Sequence, residues 1–259
     1  MKKTFILLII LFCGLSVSFS QIPQINEDLI EVGIVEKLGE IIPLDLKFLN
    51  EDNDTISLGE IINKPTILSF VYFDCPGLCS PLLSGVSEVV EKLDMTLGQD
   101  YQVVTISFNT TDTPEKARTK KLNFVQKIGE ENRKHWIYLT GSQENILEIT
   151  GSVGFKYKAQ GLDFAHPSAI MMLSPEGKIT RYLYGISFLP FDVKMAVIEA
   201  QQGIERPTIN KILEYCFAYD PGSRTYTLQI TRVVGGLMVF IIAFIFITLV
   251  VIGRRRKTK

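Results

Sequence analysis

The feature that most constrains the fold is an apolar run, Thr66 to Phe73 (TILSFVYF), leading directly into Asp74-Cys75-Pro76-Gly77-Leu78-Cys79-Ser80-Pro81. The run is continuous rather than alternating, and β-branched and aromatic residues dominate it. That pattern predicts a strand buried on both faces in the middle of a sheet. Just beyond it, Leu82, Val86, Val89, Val90 and Leu93 recur at helical spacing, so Pro81 to Leu93 reads as a helix. A cysteine pair is thereby set where a central strand gives way to a helix.

The rest of the middle of the chain repeats this alternation. Ile42 to Phe48 reads as a short strand, followed by the polar turn Asn50 to Asp54. Tyr101 to Phe108 has the buried-strand signature again. In Asp112-Thr113-Pro114-Glu115 a capping residue precedes a proline and an acid, which opens a helix expected to reach Ile128. Trp136 to Leu139 reads as a strand, Gln143 to Thr150 as a helix, and Ala169 to Leu173 as a strand. Pro175-Glu176-Gly177 turns into Ile179 to Tyr184, a hairpin partner, and Phe191 to Gln201 closes with a helix. Strands alternating with helices predict an α/β sheet, and the late hairpin adds antiparallel pairing. The order matches a thioredoxin-like domain with a β-hairpin insertion.

The cysteine spacing separates two chemistries. Thioredoxin-type redox motifs place two residues between the cysteines, whereas Cys75 and Cys79 have three. Residues four apart on a helix share a face, with Cβ atoms about 5–6 Å apart. A small adjustment of that turn allows a disulfide, and the same geometry lets both sulfurs reach one metal ion. Two soft thiolates select copper(I), and an added imidazole also suits copper(II). A helix N-terminus favours anions, so Cys75 is expected to have a lowered thiol pKa. A bridge closing so small a loop would constrain little chain entropy, which argues against a purely structural disulfide.

There are two histidines. His135, in Arg133-Lys134-His135-Trp136, reads as a solvated residue leading into a strand. His166, in Asp163-Phe164-Ala165-His166-Pro167-Ser168, stands in a loop, and Pro167 keeps it out of helical conformation. It is the candidate third ligand beside Cys75 and Cys79. Asp74 either tunes Cys75 or caps the turn. Cys216, flanked by aromatics in Tyr215-Cys216-Phe217-Ala218-Tyr219, reads as a small buried hydrophobe.

Both ends of the chain point to a membrane. Lys2 and Lys3, the apolar stretch Phe5 to Leu15, and Ser18-Phe19-Ser20 have the layout of a secretory signal peptide, residues 1–20. Leu11-Phe12 before Cys13 makes a poor lipoprotein signal. Val233 to Ile252 lacks any charged residue, and at about 1.5 Å per residue it is long enough to cross about 30 Å of hydrocarbon. Arg254-Arg255-Arg256-Lys257 follow at once, and basic flanks belong on the cytoplasmic side. The expected organisation is a thioredoxin-like domain over 21–203, a connector over 204–231, one transmembrane helix over 232–252 and a basic cytoplasmic tail over 253–259. The main domain then faces the periplasmic side. With a formal net charge of −1 and no basic stripe, nothing points to nucleic acid.

At these residues the chain resembles the Sco/SenC family, named for assembly of cytochrome c oxidase. The resemblance covers nearly all of the exported part. It is carried by Tyr72-Phe73-Asp74-Cys75-Pro76-Gly77-Leu78-Cys79, by Asp112-Thr113-Pro114-Glu115, and by His166 before Ile170-Met171-Met172-Leu173-Ser174-Pro175-Glu176-Gly177. Arg181 to Ile186, Tyr215 to Gly222 and the C-terminal apolar run are similar to a C-terminally anchored subgroup. The resemblance implies a thioredoxin-like fold and copper bound by Cys75, Cys79 and His166. It also implies help in maturing the copper A centre of the oxidase, with the copper-bearing oxidase subunit as partner. Best-known members carry proline directly after the second cysteine, whereas here Ser80 precedes Pro81. The readings left open are a copper metallochaperone, a thiol–disulfide oxidoreductase in which Cys75 and Cys79 are the redox pair, and a membrane-bound scaffold or copper sensor.

Overall fold

The computed structural model describes residues 31–161, 163–207, 217–220 and 225–228, together with Met238, Ile241, Ile242, Ile245 and Thr248. These residues fall into two compact units, divided after residues 35, 154 and 167.

The larger unit is built on one mixed seven-stranded sheet. Its strands are β2 (Lys47–Asn50), β3 (Thr55–Ser57), β4 (Thr66–Val71), β5 (Gln102–Ser107), β6 (Trp136–Thr140), β10 (Ala169–Leu173) and β11 (Ile179–Tyr184). The spatial order is β11-β10-β4-β5-β6-β2-β3. Strands β4, β5 and β6 run parallel, with Phe70 opposite Ile106 and Val104 opposite Ile137. On one flank β10 pairs antiparallel with β4, and on the other β2 pairs antiparallel with β6. Every residue of β4, β5 and β10 is buried, as their buried-strand signatures, without alternation, predict. The hydroxyls among them are satisfied internally. Ser69 Oγ and Thr105 Oγ1 lie 2.9 Å apart, and Trp136 Nε1 donates to Thr105 Oγ1 at 2.9 Å.

The helices of this unit are α1 (Leu58–Ile61), α2 (Cys79–Lys92), α3 (Pro114–Val125), α4 (Gln143–Ser152) and α5 (Pro190–Gln201). The first four connect strands of the sheet, and α5 follows the last of them. Thr113 caps α3 by accepting from Lys116 N, and Pro114 fills its first turn. A 3-10 turn, Gln126–Ile128, carries that helix to its expected end. With parallel strands, helical crossovers and the β10–β11 hairpin, the unit is α/β and thioredoxin-like.

Two local expectations change. Only Lys47 and Phe48 of the run from Ile42 to Phe48 enter a strand. Pro43 offers no N–H to a ladder, and Ile42 N bonds instead to Gly177 O at 3.0 Å, beside the β10–β11 turn. The elements β3 and α1 went unpredicted, although Ser57-Leu58-Gly59-Glu60 spells a capping box. Ser57 Oγ accepts from Glu60 N at 3.3 Å, and Glu60 Oε2 accepts from Ser57 N at 2.7 Å.

The smaller unit pairs β1 (Gly33–Ile34) antiparallel with β7 (Phe155–Lys156). It also forms a hairpin from β8 (Lys158–Gln160) and β9 (Asp163–Ala165), which sequence reading missed. Gly161 opens that turn at φ +67°, a conformation glycine adopts without a Cβ penalty. In the connector, β12 (Phe217–Asp220) and β13 (Thr225–Leu228) pair antiparallel on either side of 221–224. Cys13, Cys216, the signal segment and most of Val233 to Ile252 lie outside the described residues. Among the described residues, no helix is long and apolar enough to cross a membrane.

One contact fixes how close α2 approaches the segment after β11. A Cβ built on Gly85 would stand 2.0 Å from Ile186 O and 3.0 Å from Ile186 C, both backbone atoms. Helix propensity alone favours alanine over glycine by about 1 kcal/mol. Overpacking against backbone reverses the sign, so Gly85→Ala is expected to lower stability by about 1–3 kcal/mol, measured by chemical denaturation.

Candidate metal centre

The cysteine loop leaves β4 through two core residues. Tyr72 and Phe73 are buried, with Tyr72 tilted on Phe108 at 5.5 Å and Phe73 on Tyr138 at 6.1 Å between ring centroids. A turn follows, closed by Cys75 N donating to Tyr72 O at 3.3 Å. Gly77 N then donates to Cys75 Sγ at 3.3 Å, a bond that stabilises electron density on that sulfur. Helix α2 begins at Cys79, with Leu78 at its N-cap and no side-chain capping bond.

The expected arrangement of both cysteines on one helical face is therefore corrected. Cys79 is the first helical residue, and Cys75 stands before the helix in the turn. Both are buried thiols, Cys79 completely. They meet because the loop folds back, and the Cys75 side chain hydrogen-bonds Cys79. Burial pushes the Cys79 thiol pKa far up. A bond from the Tyr72 backbone opposes this, Cys75 adds to it, and the Lys120 charge acts against it. At Cys79, which the structure puts at the helix start, desolvation is the largest cause and raises the thiol pKa.

Beneath the loop lies a buried carboxylate that sequence reading took only as part of a helix start. Asp112 Oδ2 accepts from Phe73 N at 2.8 Å and from Ser107 Oγ at 2.6 Å. Lys116 Nζ stands 3.7 Å from Asp112 Oδ1 and also pairs with Asp74. The Asp74 carboxylate is therefore engaged by α3, at the surface, where such pairs contribute little. Lys120, one turn further along α3, donates to Phe73 O at 2.8 Å and to Ser80 Oγ at 3.1 Å. Lys116 and Lys120 are four apart, a spacing visible in the sequence. Charges on a helix face ordinarily read as solvated, which hid their role.

His166 belongs to the smaller unit and directly follows β9. It is half-buried, and its ring lies 6.5 Å from that of Phe155, within a set that also includes Tyr157 and Phe164. Its Nδ1 is 2.9 Å from Pro167 O. A carbonyl oxygen only accepts, so Nδ1 carries the proton in this bond and Nε2 is the basic nitrogen. This is the usual state of a ligating imidazole. His135 is partly buried against Gly98. Desolvation first, then Lys134 and Lys64, lowers its pKa, so it is not the fully solvated histidine expected.

Removing the Asp112 carboxylate strands the buried Phe73 N–H and Ser107 hydroxyl. Asp112→Ala is expected to cost about 2–4 kcal/mol and to speed hydrogen exchange at the Phe73 amide, read by denaturation and mass spectrometry. Undiminished protection at Phe73 would contradict this account.

Comparison with known proteins agrees with this architecture. A family model for SCO1/SenC matches residues 39–189, more than half of the chain. The SCO1 protein homolog of Bacillus subtilis strain 168 is 25% identical over 149 residues, covering 56% of this chain and 75% of the relative. Among solved structures, a proposed electron transfer protein from Aquifex aeolicus VF5 superposes with a TM-score of 0.59 at 26% identity, over 64% of this chain and 95% of the other. Arabidopsis thaliana ScoI, solved with copper bound, gives 0.52 at 22% identity, over 64% and 98%. The matched span contains the strand-to-helix cysteine loop, the Asp112 helix start and His166, and the chain belongs to the SCO1/SenC family.

Proposed function

We propose that this protein is an exported, membrane-tethered copper chaperone that takes copper as cargo through Cys75, Cys79 and His166. Its proposed task is to help mature the copper A centre of cytochrome c oxidase. The observation that carries the reading is the buried thiol pair, with Cys75 and Cys79 side chains in hydrogen-bonding contact at the end of a central strand. Two sulfurs and an imidazole with its basic nitrogen at Nε2 make a donor set suited to copper and poorly suited to hard cations. Family membership and the copper-bound Arabidopsis relative support the same reading.

The thiols would have to lose their protons to copper, and Cys79 is held protonated by burial. Copper uptake therefore releases protons, and affinity rises with pH. Anaerobic copper loading of the reduced full chain is expected to give one copper per chain. Cys75→Ser and Cys79→Ser abolish retention, and His166→Ala weakens it by more than about 10-fold, since losing only a hydrogen-bond partner of a ligand already costs about 10–100-fold. Unchanged affinity in His166→Ala would remove the histidine from the site.

The contact between the thiols also favours a second reading, a thiol–disulfide oxidoreductase. Cys75 as thiolate would attack a client disulfide to form a mixed disulfide. Cys79 would then displace the client's second thiol, leaving the client with two electrons and two protons more and the pair oxidised. Turnover on an oxidised client peptide, insensitive to His166→Ala and sustained by an external dithiol, would favour this enzyme.

The proposed tether is the apolar run Val233 to Ile252, with the basic tail inside and the thioredoxin-like domain outside. A fluorescent reporter that matures only in the cytoplasm is expected to light up when fused after Lys259. A reporter active only outside the cytoplasm is expected to stay silent there. The opposite pair of results would invert the topology.

A further inference from the structure

The cysteine loop is bridged from outside by a single side chain. Lys120 Nζ donates to Phe73 O at 2.8 Å and to Ser80 Oγ at 3.1 Å. These acceptors flank the motif, Phe73 standing two residues before Cys75 and Ser80 directly after Cys79. The ammonium lies 5.9 Å from the centroid of the Phe124 ring. Its helix is fixed at the other end of the turn, because Lys116 is held by Asp74 and Asp112.

The loop has a matching deficiency. Helix α2 starts with no side-chain cap, and the residue after Cys79 is serine, which leaves the backbone less restrained than a proline would. Serine supplies what proline lacks, a hydroxyl that accepts a bond. A charged donor holding both ends of the loop supplies the missing restraint, since charge-assisted bonds are the stronger kind.

We propose that Lys120 is a positioning residue for the Cys75–Cys79 pair, its hydrogen bonds to Phe73 O and Ser80 Oγ holding the two sulfurs in the dithiol arrangement ready for a shared partner. The proposal rests on reading that pair as the functional site. The side chain touches no cargo; it acts through the loop.

The test uses the full chain, metal-free, equilibrated in glutathione buffers. In this exchange the Cys75 and Cys79 thiols and one glutathione disulfide give the Cys75–Cys79 disulfide and two glutathiones. The bridging bonds stabilise the dithiol form, so Lys120→Met is expected to shift the equilibrium toward the protein disulfide by about tenfold. Lys120→Arg, which keeps charge and donors, returns it to within about threefold of the parent, and Ser80→Ala, losing one of the two bonds, shifts it by about threefold. An unchanged equilibrium in folded Lys120→Met overturns the proposal, even if its melting temperature drops. Should Lys120→Met not fold, an unchanged Ser80→Ala overturns it instead. Copper retention is read on the same proteins. A parent that binds no copper, with the Lys120→Met shift intact, defeats the copper reading and supports the positioning role.

Discussion

The carboxylate of Asp112 is the point on which the cysteine loop depends. One oxygen receives the Phe73 amide, where β4 has ended, and the Ser107 hydroxyl, where β5 ends. Two adjacent parallel strands are thereby tied at their carboxyl ends by a group with no exposed side-chain surface. Ligand sites of open α/β sheets gather at that end of the strands, because the chain turns there from strand to helix. Here the tie also sets where the chain stands two residues before Cys75.

From that anchor the loop is shaped by competing preferences. A helix start offers an anion its dipole, but Cys79 is completely buried and desolvation raises its thiol pKa. A reactive exposed thiolate is a poor description of Cys79. A soft ion able to displace protons is a better partner for such a pair, since its bond to sulfur compensates for burial. Three residues of α3 and its approach, Asp112, Lys116 and Lys120, act together on this loop. The helix is as much a scaffold for the site as a crossover between strands.

The sequence showed the central strands, the helix starting at Pro114, the β10–β11 hairpin and the cysteine pair, because each has a local signature. β-Branched and apolar residues without alternation mark β4, β5 and β10, and a cap followed by proline marks the helix. What it hid were elements made by pairing rather than by pattern. Residues Phe155 to Ala165 carry little periodicity, yet form β7, β8 and β9 through partners. Ile42 to Phe48 reads as a strand, yet Pro43 and the Gly177 carbonyl divert its first residues from the sheet, and only Lys47 and Phe48 join it.

By itself, the sequence determined the α/β class, the position of Cys75 and Cys79 at the exit of a buried strand, and the family, because residue type and spacing encode local conformation and chemistry. Only the tertiary structure decided that Cys79 alone joins the helix, that its thiol is shielded from water, and that Asp112 and Lys120 govern the loop. The contacts of Asp112 and Lys120 join residues some 40 positions apart, and burial and hydrogen bonding over such separations leave no local pattern to read.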